Sequence, residues 1–311
     1  MKKLCFAVLL LCATASLAMP IASSARSMVP SELQQLIGVD YRALKDSPTA
    51  QALKDKVLPD NLKQLEAALK SIGIDAERDI DQLDFASFRT EKKGIQTIGV
   101  AQGSFSAKAV LKKLKLKKIA AIPYNKTTSI YPMDNGLVMT FTDDNTLVFG
   151  ADASLRSALD TQYGKRPSLD SNPVMADQMA AVDGSPLWSI LDQQGTQAMM
   201  FSTMGDAATK VGDYESVKKR ILASRYTMSF QSGVEFDLSV VTSDSMTAAT
   251  LSTVLKGVVL YKKMSASAIE KTAYDSTTVD SDNSILRLHF KSDDQKFQSL
   301  MNSPLFAAIS H

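Results

Sequence analysis

"GLVMTFTDDNTLVFGA", residues 136–151, decides the fold class. Leu137, Met139 and Phe141 alternate along the first arm, which is the period of a strand. Asp143, Asp144 and Asn145 supply turn chemistry, and Leu147 to Phe149 returns as a second arm. The stretch is an antiparallel hairpin. Asp152 then reads as a helix cap, and Leu155, Ala158 and Leu159 recur at helical spacing behind it.

The same unit, a hairpin followed by a helix, recurs outward in both directions. Towards the N-terminus, Ala86 to Glu91 and Ile95 to Ala101 flank a "KKG" turn, and Ser106 opens a helix carrying Val110, Leu111 and Leu114. Before them come a strand at 33–39, a Ser47-Pro48 helix start, and a helix from Asp60 that Gly73 ends. Towards the C-terminus, Tyr226, Met228 and Phe230 alternate, "QSG" turns, and Val234, Phe236, Leu238 and Val240 alternate back. Asp244 opens a long helix with Leu251, Val254, Leu255 and Val258 in line. A last hairpin turns at Asp282-Asn283, and Asp293 opens a final helix.

Alternating strands need one buried face, and amphipathic helices need a surface to cover. The expected architecture is therefore α+β, with antiparallel sheets and amphipathic helices on one face. The polar stretch 161–173 divides the chain into two pseudo-repeated halves, 26–166 and 167–311, alike in element order and not in sequence. On that plan the unit around 136–160 matches the unit around 226–260, and Phe141 and Leu238 each face the helix that follows.

The N-terminus has the three parts of a secretory signal peptide: Lys2 and Lys3, an apolar run from Leu4 to Ala13, then small residues. Cleavage is expected after Ala18 or Ala25. Removal takes Cys5 and Cys12, so the exported chain has no thiol for a disulfide or a metal. It also takes Lys2 and Lys3, which balances 35 basic against 33 acidic residues. A neutral chain has no global field to steer it to nucleic acid, and no further stretch has the length of a stable membrane insertion. The destination is the periplasm or the exterior.

Residues 73–85, "GIDAERDIDQLDF", hold the densest acids. Asp75, Glu77, Asp79 and Asp81 are the candidate ligands if calcium binds there, since hard oxygens on a loop suit that ion. A calcium loop of the EF-hand type starting at Asp75 needs Gly at 80 and Glu at 86, where Ile80 and Ala86 stand. A solvated helix-to-strand turn is the favoured reading, and no metal or cofactor is assigned. Two histidines, His289 and the terminal His311, leave zinc sites and Ser-His catalysis without their usual parts. Ser216-x-x-Lys219, Lys271-Thr272 and Ser281-Asp282-Asn283 imitate a serine β-lactamase in the wrong order. The lysines of 112–118 read as the solvated face of a helix. Methionine crowds the second half, and Met199, Met200, Met204 and Met228 are the candidate binding residues, because thioethers adapt to irregular apolar partners.

"GVDYRALKDSPTAQAL" (38–53), "GIDAERDIDQLDF" and "TLVFGADASLRSAL" resemble exported bacterial proteins of a domain-of-unknown-function family. The resemblance lies mainly in the first half. It implies export and this element order, and it transfers no catalytic residue.

With no catalytic set, the expected function is a non-enzymatic binding, scaffold or chaperone-like protein of the bacterial envelope. Its form to test first is an apolar-ligand carrier with a Met-lined cleft; the partner is an envelope protein or an apolar ligand. The alternative is a carboxylate-dependent hydrolase acting on envelope glycans, which needs two acids converging in one cleft.

Overall fold

The structure is a computed structural model that describes residues 21–57, 60–90, 94–204, 214–303 and 306. The strands are β1 (Leu33–Asp40), β2 (Ile80–Thr90), β3 (Gly94–Gly103), β4 (Ile122–Pro123), β5 (Ser129–Pro132) and β6 (Leu137–Phe141). They continue as β7 (Thr146–Ala151), β8 (Leu187–Asp192), β9 (Ile221–Ser229), β10 (Val234–Thr242), β11 (Thr277–Asp282) and β12 (Ile285–Ser292). The helices are α1 (Ser23–Arg26), α2 (Tyr41–Lys45), α3 (Pro48–Val57), α4 (Asp60–Ile72), α5 (Ala76–Asp79), α6 (Ala107–Leu116) and α7 (Asp152–Gln162). After these come α8 (Pro173–Ala180), α9 (Gln193–Met204), α10 (Tyr214–Lys219), α11 (Ser245–Ser265), α12 (Ala268–Asp275) and α13 (Asp294–Leu300).

The class is α+β, as the hairpin pattern requires. The expectation of one sheet per half is corrected: all the strands join in a single 12-stranded antiparallel sheet, ordered β11-β12-β10-β9-β8-β1-β2-β3-β7-β6-β5-β4. β1 makes the junction. One edge pairs with β2 and the other with β8, so Gly38 lies between Asp84 and Trp188. Joining the halves this way satisfies two rows of backbone N–H and C=O groups that separate sheets would leave as open edges. Outward from the junction the strands run β1-β2-β3-β7-β6 on one side and β8-β9-β10-β12-β11 on the other.

The expectation of helices on one face is also corrected. One face of the first half packs Leu36, Ala86, Phe88, Ile98, Val100 and Val148 under residues of α1, α7 and α8, including Ala25, Leu155, Leu159, Met175 and Met179. The opposite face packs Leu83, Ala101, Met139, Leu147 and Phe149 under Leu69 and Ile72 of α4 and Val110 and Leu114 of α6. A strand buried on both sides needs no polar face, and β7 is buried from Thr146 to Gly150. Phe141 packs with the second of these groups, whereas α7, which follows its hairpin, covers the first. Phe141 therefore faces away from the helix that follows. Leu238 does face its helix, packing with Leu251 and Leu255 of α11. Strand order places the 136–151 hairpin opposite β11–β12 across the junction, not opposite β9–β10.

In the second half the same opposite face stays covered. α11 lies over Val240, Val279 and Leu286, while Leu53 of α3 and Phe297 of α13 lie over Val234, Met228 and Phe290. The first face ends differently. α8 reaches β8 and β9, and beyond it no described helix covers β10, β12 and β11. That part of the sheet presents Glu235, Asp237, Ser239, Arg287, His289 and Lys291, half-buried or exposed.

Two local starts differ from their sequence reading. Asp152 is the first residue of α7 and not its cap; it pairs with Arg156 one turn on. β2 begins at Ile80, six residues before the expected strand, so half of the acidic stretch belongs to the sheet.

Candidate functional site

The acids of 75–84 are separated by their local roles. Asp75 caps α5, accepting from the Arg78 N–H at 3.3 Å. Asp79 binds the Arg78 guanidinium at 2.7 Å and accepts from the Asp75 N–H at 2.9 Å. Arg78 holds the Asp79 carboxyl below the usual carboxylate range. Asp81 sits on β2 and pairs with Arg42 at 2.5 Å, and Glu77 is exposed. Asp84 points the other way, fully buried, and Gln82 donates to both its oxygens at 2.9 and 3.1 Å. Burial pushes its carboxyl well above the usual range.

The candidate methionines are spread over separate packing groups. Met200 packs beside Ile221, Val240 and Leu251, whereas Met228 packs beside Val234, Phe290 and Phe297. Met199 is half-buried on α9. Met204 closes α9, and its side chain lies outside the described residues. Met175 and Met179 are core residues on the buried side of α8.

Large apolar side chains reach solvent singly at Ile95 and Leu116, and as a group on α11. α11 carries two stripes. Ala248, Leu251, Leu255 and Val259 lie on the sheet side. Gly257, Leu260, Tyr261 and Met264 follow the i, i+3, i+4, i+7 spacing of another face, and that face is open. Leu260 is 64% exposed, Tyr261 72% and Met264 77%. Met246, near the start of α11, and Ile269, on α12, are exposed as well. Lys256, Lys262 and Lys271 are exposed beside this open ridge, and Lys263 is tied to Asp275. The ridge is held by firm ends. Asp244 caps α11 by accepting from the Thr247 N–H at 2.8 Å, and Ser267 and Glu270 form a reciprocal capping box on α12.

On the other side of the sheet is an ionic network. His289 Nδ1 lies 2.8 Å from Asp237 Oδ1, and its Nε2 lies 3.8 Å from Glu235. Lys291 approaches Glu235 at 3.7 Å. One ligand atom from each of Glu235, Asp237 and His289 lies within 4.8 Å of the others. Neighbouring strands bring this group together. Its sequence signal was alternation in β10 and β12, but their mutual register carries no local mark. A hydrolase of the two-carboxylate kind needs two acids converging in one cleft; Asp237 lines a small concavity of this face, and Glu235 is not among its lining residues.

Among the described residues no helix is long and apolar enough to cross a membrane. No protein-family profile matches the chain, and no curated protein does. Among solved structures, crystal form III of TP0453 is similar over 89% of this chain and 96% of that one, with a TM-score of 0.49 at 10% identity. Crystal forms I and IV of TP0453 give TM-scores of 0.47 and 0.45 at 8% and 9% identity.

Proposed function

We propose that the protein is an exported, non-enzymatic binding protein of the bacterial envelope, and that it engages anionic lipid surfaces through the α11–α12 ridge. The second apolar stripe on α11 carries this reading. A helix that is apolar on two sides is ordinarily buried on both. Here one side is taken by the sheet and the other meets solvent, with lysines beside it. Contiguous exposed apolar surface of this kind marks an interaction site. A basic-edged apolar helix suits the boundary between headgroups and acyl chains. Burying Leu260, Tyr261 and Met264 contributes roughly 1.5–3 kcal/mol each. An external ridge replaces the Met-lined cleft as the place where apolar matter is taken.

Flotation with phosphatidylglycerol vesicles tests the reading. The protein should float with them, and Leu260→Ser combined with Met264→Ser should weaken binding by about tenfold or more. Equal flotation of both proteins, or none of either, contradicts it.

Export rests on the signal-peptide pattern of the first 25 residues. Ile21 and Ala25, just before and within α1, are fully buried in the core, which supports cleavage after Ala18 over Ala25. The intact mass of exported protein should begin at Met19; a mass beginning at Arg26 overturns that choice. The matching strand orders on the two sides of β1–β8 support two related halves built on one plan.

A further inference from the structure

Register sets Arg225, Ser239 and Arg287 in one row across β9, β10 and β12, on the sheet face opposite α11. The adjoining row is Thr227, Asp237 and His289. With Ala181, just beyond α8, residues of these rows line a concavity of about 180 Å³. That volume suits a small polar group and not a whole apolar ligand, for which pockets of roughly 300–1,000 Å³ are usual.

Two arginines and one aspartate line the concavity, and exposed Asp280 of β11 stands in register with Arg287. Arg225 is half-buried, and its Nη1 donates to the Gln178 Oε1 at 2.6 Å, a neutral partner on α8. The charge that acts on it is Arg287, of the same sign; burial and that neighbour together push its guanidinium below the usual range. Arg287 meets Asp282 at 3.5 Å, out at the exposed hairpin end. Asp237 on the rim is adverse to an anion, and its Oδ1 is already engaged by His289. Half-burying a guanidinium against a neutral partner leaves it short of a counter-charge, and a planar fork of donors matches the oxygens of an oxyanion. Strands lie about 4.8 Å apart, so the Arg225 and Arg287 backbones stand about 10 Å apart, a span that two arginine side chains close around one tetrahedral group.

We propose that this concavity binds a phosphate group, as inorganic phosphate or as a phosphate monoester, between the guanidinium groups of Arg225 and Arg287, with the Ser239 and Thr227 hydroxyls donating. The site is independent of the lipid-facing ridge, since the two occupy opposite faces of the sheet.

Calorimetric titration of the exported protein with inorganic phosphate, glycerol 3-phosphate and acetate tests it. Phosphate should bind and acetate should bind at least about tenfold more weakly, because two guanidinium groups favour a dianion. Equal affinity for inorganic phosphate and glycerol 3-phosphate assigns the phosphate group alone; tighter binding of glycerol 3-phosphate assigns a monoester. Arg225→Gln and Arg287→Gln should each weaken phosphate binding by about tenfold or more, and Asp237→Asn should tighten it. Thermal melts guard against misfolding: phosphate should raise the Tm of the unaltered protein and leave that of Arg225→Gln unmoved. No phosphate binding at about 10 mM, at a salt level where electrostatic sites still act, overturns the proposal. So does unchanged binding in Arg225→Gln, or tighter binding of acetate than of phosphate.

Discussion

Asp84 shows what a single residue in this sheet decides. It stands in register with Gly38 on one side and Val100 on the other. The Trp188 ring lies over Gly38, where an added Cβ would come within 2.2 Å of it, so only glycine admits the ring beside the carboxyl. Burial raises the folded pKa of Asp84, with Gln82 partly opposing it. An unfolded aspartate titrates near about 4. Above that pH the unfolded chain has lost a proton that the folded chain keeps. Stability must therefore fall as pH rises from about 4 through the folded pKa. Asp84→Asn cannot titrate and still offers an oxygen to Gln82. Urea midpoints measured across pH should show the variant gaining on the parent as pH rises; parallel profiles would contradict the assignment. The sequence placed Asp84 among surface acids, because its neighbours are acids and nothing local reports which side of β2 it occupies.

At the scale of elements, most boundaries were legible and most faces were not. Hairpins at 136–151 and 277–292 follow from alternation and turn residues, with Asn283 at φ 51° in the second turn. Caps at Asn172, Asp244 and Asp293 follow from residue type. Two-sided burial was signalled by "TLVFGA", an uncharged run with no polar alternate, yet the bulkier Leu137, Met139 and Phe141 suggested a one-sided strand. α11 carries a comparable ambiguity. Its apolar residues satisfy two helical stripes at once, and only the packed sheet distinguishes them. Leu251 is on the buried stripe, so Leu251→Ala should cost roughly 2–5 kcal/mol. Leu260→Ser and Met264→Ser, on the open stripe, should each stay within about 0.5 kcal/mol of the parent. Chemical denaturation of the three variants measures this. A larger loss at Leu260 or Met264 than at Leu251 would reverse the two faces of the helix.

Across the whole molecule, the decisive contact is one that no local pattern announces. β1 and β8 are about 150 residues apart in sequence, and their pairing turns two expected sheets into one. It also sets which sheet faces are continuous. One face carries helices in both halves, α4 and α6 over the first and α11 and α13 over the second. The other loses its cover past β9, leaving the row of Arg225, Ser239 and Arg287 and the network around His289 in reach of solvent. Neither feature was legible beforehand, since each needs β10 paired with β12 across the intervening α11 and α12, and that register carries no local mark. The result is a molecule with an apolar, lysine-edged ridge on one side and a charged sheet face on the other. Such a molecule should meet an anionic membrane in one orientation. Cys5 and Cys12 are the chain's cysteines and lie in the expected leader, so in protein that begins at Met19 a single introduced thiol can be labelled. An environment-sensitive fluorophore on Leu260→Cys should shift to the blue when phosphatidylglycerol vesicles are added, while the same probe on Thr278→Cys of β11 stays in water and unshifted. Equal shifts at both positions, or vesicle binding with no shift at Leu260→Cys, would contradict a ridge-down binding mode.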